Sequence, residues 1–139
     1  MNSQRVLIVD DLAVNRIVLR HVLQALDCSV CEAASGPEAL EQLANQNFDL
    51  VLLDIHMPDV TGFDVIENLR RIAGPNGATR VVAVTADVTH PHCKYIDAGF
   101  DDYLNKPVCM QHIAGQVAQA KRAELSDGVG QAQVCSALA

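Results

Sequence analysis

Tryptophan is absent from this chain of 139 residues, which has only two tyrosines and three phenylalanines. Half of the residues are nevertheless apolar, so the core has to be built mainly from aliphatic side chains. Basic residues are scarce as well, because ten Lys and Arg stand against 17 Asp and Glu, for a net charge of −7. This acidic balance argues against a surface that binds nucleic acid or an anionic membrane.

Long hydrophobic runs are also missing. No apolar segment approaches the roughly 20 residues that a membrane helix requires. The N-terminal sequence MNSQRVLIVDD does not have the layout of a signal peptide. We therefore expect a cytoplasmic protein with no membrane partner, and a length that suits one domain with a real core.

The cysteines do not form a disulfide pattern, because they are five in number and scattered along the chain. Cys28 and Cys31 are spaced as Cys-x-x-Cys, but they fall in an apparent strand, where residues three apart point to opposite faces. His90, His92 and Cys93 offer a second candidate metal site. Only three ligands are local there, whereas a structural zinc site needs four, so we expect an exposed loop instead.

Five apolar segments alternate with five amphipathic segments along the chain. The predicted strands are Arg5–Asp10, Cys28–Ala33, Leu50–Asp54, Arg80–Thr85 and Asp101–Asn105. The predicted helices run from about Leu12 to Asp27, from a capping box at Ser35 and Glu38, and over Phe63–Ile72, Val88–Ala98 and Cys109–Leu125. The alternation predicts a doubly wound, five-stranded parallel sheet of order 2-1-3-4-5 with five helices, a flavodoxin-like three-layer sandwich. This domain would occupy residues 1–125, and residues 126–139 would form a mobile tail.

Acidic side chains follow the first and third predicted strands. Asp10 and Asp11 come after one strand and Asp54 ends the other. In the order 2-1-3-4-5 these strands are neighbours, and open α/β sheets bind ligands in the crevice at that switch point. Three carboxylates there would repel one another, so a cation is expected, and an all-oxygen ligand set suits Mg²⁺, with Mn²⁺ as a substitute. The alternative, that these acids only cap the first helix, would explain Asp11 but not all three acids.

Thr85 and Lys106 end the fourth and fifth predicted strands, so a hydroxyl and an ammonium should face the same crevice. Phosphoryl transfer needs a nucleophilic oxygen, a metal that bridges it to the transferred group, and donors for the phosphoryl oxygens. Asp54 is the predicted nucleophile, which would form an aspartyl phosphate. Considered singly, Thr85 could be a strand-end cap and Lys106 a solvated charge. These alternatives do not explain why polar groups stand at four strand ends together.

Asp10-Asp11, the run DIHMP from Asp54 to Pro58, Thr85-Ala86 and Lys106-Pro107 resemble the response regulator receiver domain from about Arg5 to Leu125. The resemblance implies that Asp54 is the phosphoacceptor. It also implies that Asp11 and Asp54 bind Mg²⁺ together with the backbone carbonyl of His56, while Asp10 holds a metal-bound water.

The same resemblance assigns roles at the other strand ends. Thr85 and Lys106 are expected to bind the phosphoryl group, and Tyr103 is expected to be the switch aromatic whose rotamer reports phosphorylation. The Lys106–Pro107 bond is expected to be cis, as is usual in the family. Such a domain is a switch, not an enzyme, and catalyses only its own phosphorylation and dephosphorylation.

The resemblance also implies a partner, a histidine kinase or histidine phosphotransfer protein that docks near Val14 and Ile17 and donates its phosphoryl group. Apolar residues at a helix start are more often plain core, so that alternative stays open. The run DDLAVNRIVLRHVL is most similar to receivers of hybrid kinases, yet the chain begins at Met1 and carries no kinase. A stand-alone regulator and an excised module are both open, with an unknown downstream protein and a monomer or weak homodimer.

Two other functions on the same fold are open at this point. A magnesium-dependent phosphatase would use Asp54 to turn over external substrates. Flavin binding is disfavoured, because Asp10 and Asp11 would repel phosphate where a flavodoxin-like loop must hold it. The resemblance to the receiver family also implies that His56 and Asp87, each two residues after a site residue, influence how long the phosphate survives.

Overall fold

The protein is described by a computed structural model, which covers residues 4–57, 60–71, 79–86 and 92–129. Its strands are β1 (Arg5–Val9), β2 (Ser29–Ala33), β3 (Leu50–Asp54), β4 (Arg80–Thr85) and β5 (Asp102–Asn105). Its helices are α1 (Ala13–Ala25), α2 (Gly36–Asn45), α3 (Gly62–Arg70), α4 (His92–Ala98) and α5 (Met110–Val129). Strands and helices alternate throughout, as predicted.

The five strands form one parallel sheet in the order β2-β1-β3-β4-β5. The predicted order is therefore confirmed. β1 and β3 are direct neighbours, with Val9 opposite Leu53, so the residues that follow them lie at the same edge of the sheet.

The three central strands, β1, β3 and β4, are buried on both faces because helices cover the sheet on two sides, whereas the edge strands β2 and β5 are only partly buried. One apolar cluster joins Leu7, Val51 and Val81 to helices α2, α3 and α4. The opposite cluster joins the alternate strand residues to α1 and α5 through Leu23 and Ile113. Period-two alternation between the two clusters explains why the central strands are apolar at every position. Cys28 and Cys31 belong to opposite clusters, as predicted, although β2 begins at Ser29 and Cys28 therefore precedes the strand.

Strand boundaries differ from the predicted ones by single residues. β1 ends at Val9, not Asp10, and β5 begins at Asp102, not Asp101. The carboxylate of Asp101 instead accepts a hydrogen bond from the backbone N–H of Val81, at 2.8 Å. The strand ends are set by where pairing with a neighbour stops, which a local sequence pattern does not contain.

Helix boundaries differ more. α1 ends at Ala25, two residues before Asp27, which has a φ of +64° and cannot continue a right-handed helix. α5 extends to Val129, so the predicted domain end at Leu125 lies inside the helix. The predicted stop of the third helix at Gly74-Pro75 and the predicted start of the fourth at Val88 lie outside the described residues. Among the described helices, none combines the length and apolar character needed to cross a bilayer.

Capping at the helix starts is partly as predicted. The Ser35 hydroxyl accepts a hydrogen bond from the N–H of Glu38, but the Glu38 carboxylate bonds the N–H of Ala34, one residue earlier than a capping box requires. A complete capping box occurs instead at α3, between Thr61 and Asp64. The N-cap residue of this box, Thr61, lies seven positions after the end of β3 at Asp54.

Candidate functional site

Asp10 directly follows β1 and is almost fully buried. Its backbone N–H donates to the carbonyl of Ala33 on β2, at 3.1 Å. Its carboxylate Oδ1 accepts a hydrogen bond from the N–H of Leu12, at 2.9 Å, and so satisfies a backbone donor at the start of α1. Asp10 therefore fixes the chain just before α1, whereas the sequence suggested a role at this helix start for Asp11.

Asp54 is the last residue of β3 and lies opposite Val84 of β4. Its carboxylate is 6% exposed, and Oδ1 accepts a hydrogen bond from the N–H of His56, at 3.3 Å. Asp10, Asp11 and Asp54 each offer a carboxylate oxygen, and these oxygens lie within 4.8 Å of one another. In the part of the chain that the structure describes, this is the one group of three or more potential metal ligands.

Lys106 supplies the positive charge of the cluster. Its Nζ lies 3.2 Å from Asp10 Oδ2 and 3.4 Å from Asp54 Oδ1. Its backbone N–H donates to the carbonyl of Thr85, at 2.8 Å, which holds the end of β5 beside the end of β4. The peptide bond between Lys106 and Pro107 is cis. A single ammonium therefore bridges the two buried carboxylates.

Burial and the neighbouring charge of Asp10 raise the pKa of Asp54 above its ordinary value of 3.8. Lys106 and the N–H of His56 act in the opposite direction, because both stabilise the charged form. The net shift is upward. In the isolated chain, Lys106 and the N–H of His56 therefore do not fully compensate the cost of ionising Asp54.

The donor set fits a hard divalent cation. Three carboxylates and one ammonium leave a formal charge of −2 in the cluster, which one divalent ion would balance. All three side-chain ligands are oxygens, which Mg²⁺ prefers to nitrogen or sulfur. Asp11 is partly exposed, so the cluster opens to water on its side.

Thr85 and Tyr103 occupy the two strands beyond Asp54. Thr85 ends β4 and is fully buried. Tyr103 is on β5, opposite Ala83 of β4. Its half-buried ring stacks on the ring of Tyr95, with centroids 5.1 Å apart. The fold therefore brings Thr85 to the same sheet edge as Asp54, whereas the Tyr103 ring packs on α4 beside that edge.

Val14 and Ile17 lie on the first turns of α1 and are 63% and 44% exposed. The core of α1 is formed by Leu19 and Leu23 instead. The alternative that Val14 and Ile17 are core residues is therefore wrong. A cavity of about 360 Å³ opens on the same side of the molecule and is lined by Val18 of α1 together with residues of the site.

The remaining predicted candidates are histidines, cysteines and Asp87. Cys93 is exposed on α4, not in a loop, and His90 lies outside the described residues. Cys28, Cys31 and Cys109 likewise form no disulfide among the described residues. His56 is exposed beside Asp54, and Asp87 lies outside the described residues.

Sequence reasoning missed two residues that hold the site in place. Gly62 packs against the backbone of Asp54. In the sequence, the only sign of this close approach is the glycine itself. Arg16 donates to the carbonyl of Asp10, at 2.7 Å, from a helix position that looks like an ordinary exposed arginine.

A buried aspartate beside an acidic pair and a lysine, at the switch point of a 2-1-3-4-5 sheet, defines an α/β domain with a ligand site at the carboxyl ends of its strands. The family model for the response regulator receiver domain matches residues 6–118. The chain belongs to this family, whose members act in two-component signalling.

Relatives include the aerobic respiration control sensor protein ArcB of Escherichia coli K12, which is 39% identical over 112 residues. The match covers 81% of this chain but only 14% of ArcB. Among solved structures, the Vibrio cholerae chemotaxis protein CheY4 superposes with a TM-score of 0.78 at 28% identity, over 86% of this chain and 99% of that one.

The receiver domain of the sensor histidine kinase PA1611 from Pseudomonas aeruginosa PAO1 is similar with a TM-score of 0.77 at 25% identity. The match covers 85% of this chain and 97% of that domain. In that structure a magnesium ion is coordinated in the active-site cleft.

Proposed function

We propose that this chain is a phosphorylation-dependent signalling switch. Asp54 accepts a phosphoryl group from a phosphohistidine on a histidine kinase or histidine phosphotransfer protein, and the phosphorylated domain changes its surface for a downstream protein. The observation that carries the proposal is the single cluster in which the carboxylates of Asp10, Asp11 and Asp54 meet the ammonium of Lys106.

Asp54 is the nucleophile. One of its carboxylate oxygens forms a bond to phosphorus while the bond from phosphorus to the donor imidazole nitrogen breaks. The electron pair of the broken bond stays on the imidazole, which takes up a proton from solvent. The raised pKa of Asp54 supports this role, because a partly desolvated carboxylate is less stabilised by water and more reactive toward phosphorus.

Mg²⁺ would be held by Asp11 and Asp54 with the backbone carbonyl of His56, while Asp10 binds one of its waters. When bound, the ion supplies positive charge against the carboxylates and the phosphoryl oxygens. The formal charge of −2 in the cluster and the magnesium in the receiver of PA1611 support this assignment. Use of Mn²⁺ stays a prediction.

Lys106 and Thr85 receive the transferred group. The Lys106 ammonium lies near both buried carboxylates, so it can move from Asp54 to a phosphoryl oxygen without leaving the cluster. The Thr85 hydroxyl is the other donor, since it ends the strand next to β3. A shift of Thr85 toward the phosphoryl group leaves space that the Tyr103 ring can enter, which would change the surface of α4, β5 and α5.

The donor docks on the exposed start of α1, through Val14 and Ile17. Two large apolar side chains in water are the kind of patch that marks a protein contact. The similarity to the receiver domain of the sensor histidine kinase PA1611 supports a donor of the histidine-kinase type. This chain spans only 14% of ArcB. We propose a cytoplasmic setting and a monomer or weak homodimer for this domain.

Phosphorylation by a small phosphodonor tests the proposal. With Mg²⁺, the chain should gain one acid-stable, base-labile phosphoryl group, and Asp54→Asn should gain none. Labelling that survives this substitution would refute the assignment of Asp54. Steady release of phosphate from an external monoester, beyond one equivalent per chain, would instead establish the phosphatase alternative.

A further inference from the structure

Arg16 connects three elements beside the acidic cluster. It lies in the first turn of α1, and its side chain is 18% exposed. Nη1 donates to the backbone carbonyl of Asp10, at 2.7 Å. Nε donates to Glu32 Oε1 on β2, at 3.1 Å. The guanidinium thus joins the β1–α1 loop to β2.

The carbonyl that Arg16 binds belongs to the peptide between Asp10 and Asp11. Because β1 ends at Val9, this peptide lies beyond the sheet ladder. Its N-terminal neighbour is fixed by the bond from the Asp10 N–H to Ala33. A peptide unit is planar, so a bond that fixes the direction of this carbonyl also fixes the plane that contains the N–H of Asp11 and ends at its Cα.

We propose that Arg16 is a positioning residue for the divalent cation. It sets the direction in which Asp11 presents its carboxylate to Asp54, although it does not itself contact the ion. The inference rests on the proposed magnesium site and adds a residue that supports it. Groups of this kind, which bind behind the ligands, typically change metal affinity by about 10- to 100-fold when they are removed.

Glu32 keeps the guanidinium in this orientation. Its second oxygen pairs with Arg20, one turn further along α1, so Glu32 has a partner on either side. Arg16 and Arg20 therefore share the same acid and the same helix, but the bond to Asp10 is made by Arg16. This difference gives a matched control.

The test compares Arg16→Gln with Arg20→Gln by NMR titration of the full chain with MgCl₂, because the absence of tryptophan removes the usual fluorescence probe. Arg16→Gln should weaken Mg²⁺ binding about tenfold, whereas Arg20→Gln should stay within about twofold of the parent. Before any metal is added, the Asp11 amide resonance should shift in Arg16→Gln and not in Arg20→Gln. That shift reports only the loss of the bond to the Asp10 carbonyl. The difference in Mg²⁺ affinity between the two variants is the readout that a purely structural role of Arg16 would not change.

Arg16→Lys is the second variant, in case Arg16→Gln does not fold. A lysine keeps the charge but cannot bind Glu32 and the Asp10 carbonyl as a planar fork. It should therefore lie between the parent and Arg16→Gln in Mg²⁺ affinity. Equal affinity in all the arginine variants and the parent would overturn the inference and leave the proposed function intact. Failure of the parent chain to bind Mg²⁺ would instead overturn the proposed function.

Discussion

Gly62 lies against the backbone of Asp54. A Cβ on Gly62 would come within 2.7 Å of the Asp54 carbonyl oxygen and 2.9 Å of the Cα of Ile55. The N–H of Gly62 also donates to the carbonyl of Ile55, at 2.9 Å. The start of α3 is thereby packed directly onto the end of the strand that carries the acceptor.

Replacement of Gly62 by alanine should therefore disturb both stability and the site. Two of the three nearest atoms are backbone atoms that cannot rotate aside, so we expect a loss of about 1–3 kcal/mol in the free energy of unfolding. Urea denaturation followed by circular dichroism measures this loss, and labelling by a small phosphodonor should also slow. Gly115→Ala on α5 is the control, because a Cβ there enters open space. A gain of up to about 1 kcal/mol is expected for it.

The raised pKa of Asp54 predicts a stability that depends on pH in the metal-free chain. Folded Asp54 keeps its proton at pH values where the unfolded chain, with a pKa near 3.8, has lost it. The folded state then binds more protons, so the free energy of unfolding falls as pH rises through this window. Above the folded pKa, the cost of ionised Asp54 is fully present.

Asp54→Asn removes that cost. The variant should exceed the parent in free energy of unfolding by about 1 kcal/mol at pH 7 in the presence of a chelator. The difference should shrink as the pH is lowered toward 4. Denaturation curves at several pH values measure it, with Asp97→Asn, an exposed aspartate on α4, as the control. A difference that grows on acidification would contradict the prediction.

Lys106→Met should change the stability of the metal-free chain and its Mg²⁺ affinity in opposite directions. Without the ammonium, three carboxylates remain with no cation among them, so we expect a loss of about 2 kcal/mol in the metal-free chain, less than for a fully buried pair. Mg²⁺ should bind about tenfold more tightly, because a like charge has left the cluster. Lys94→Met is the control, since Lys94 lies over the Phe63 ring. Weaker Mg²⁺ binding in Lys106→Met would argue against the site.

Ile17→Asp should slow phosphotransfer from a phosphohistidine donor protein by about tenfold or more, because a charge replaces an apolar contact on α1. Labelling by a small phosphodonor should not change. Ile96→Asp is a matched control, since Ile96 is exposed to a similar extent, 42% against 44%, on α4. Equal slowing in both variants would show that donor docking does not use the start of α1.

The strand order and the place of the acids could be predicted because both depend on local patterns. Apolar runs that end in Asp10, Asp54 and Thr85 specify buried parallel strands and what stands at their ends, and right-handed crossovers then restrict the order. Element ends were less predictable. Asp27 adopts a left-handed backbone conformation just after α1, and an aspartate in the sequence does not by itself predict that conformation.

The sequence by itself determined which chemical groups this protein can bring to a phosphoryl group, since residue type and position at a strand end follow directly from the chain. Only the tertiary structure decided how these groups are held. The bond from Arg16 to the Asp10 carbonyl, the contact of Gly62 with Asp54 and the exposure of Ile17 each join or separate elements that are distant in the folding pattern. Such relationships arise from packing between elements in three dimensions, and the hydrophobic periodicity within one element does not predict them.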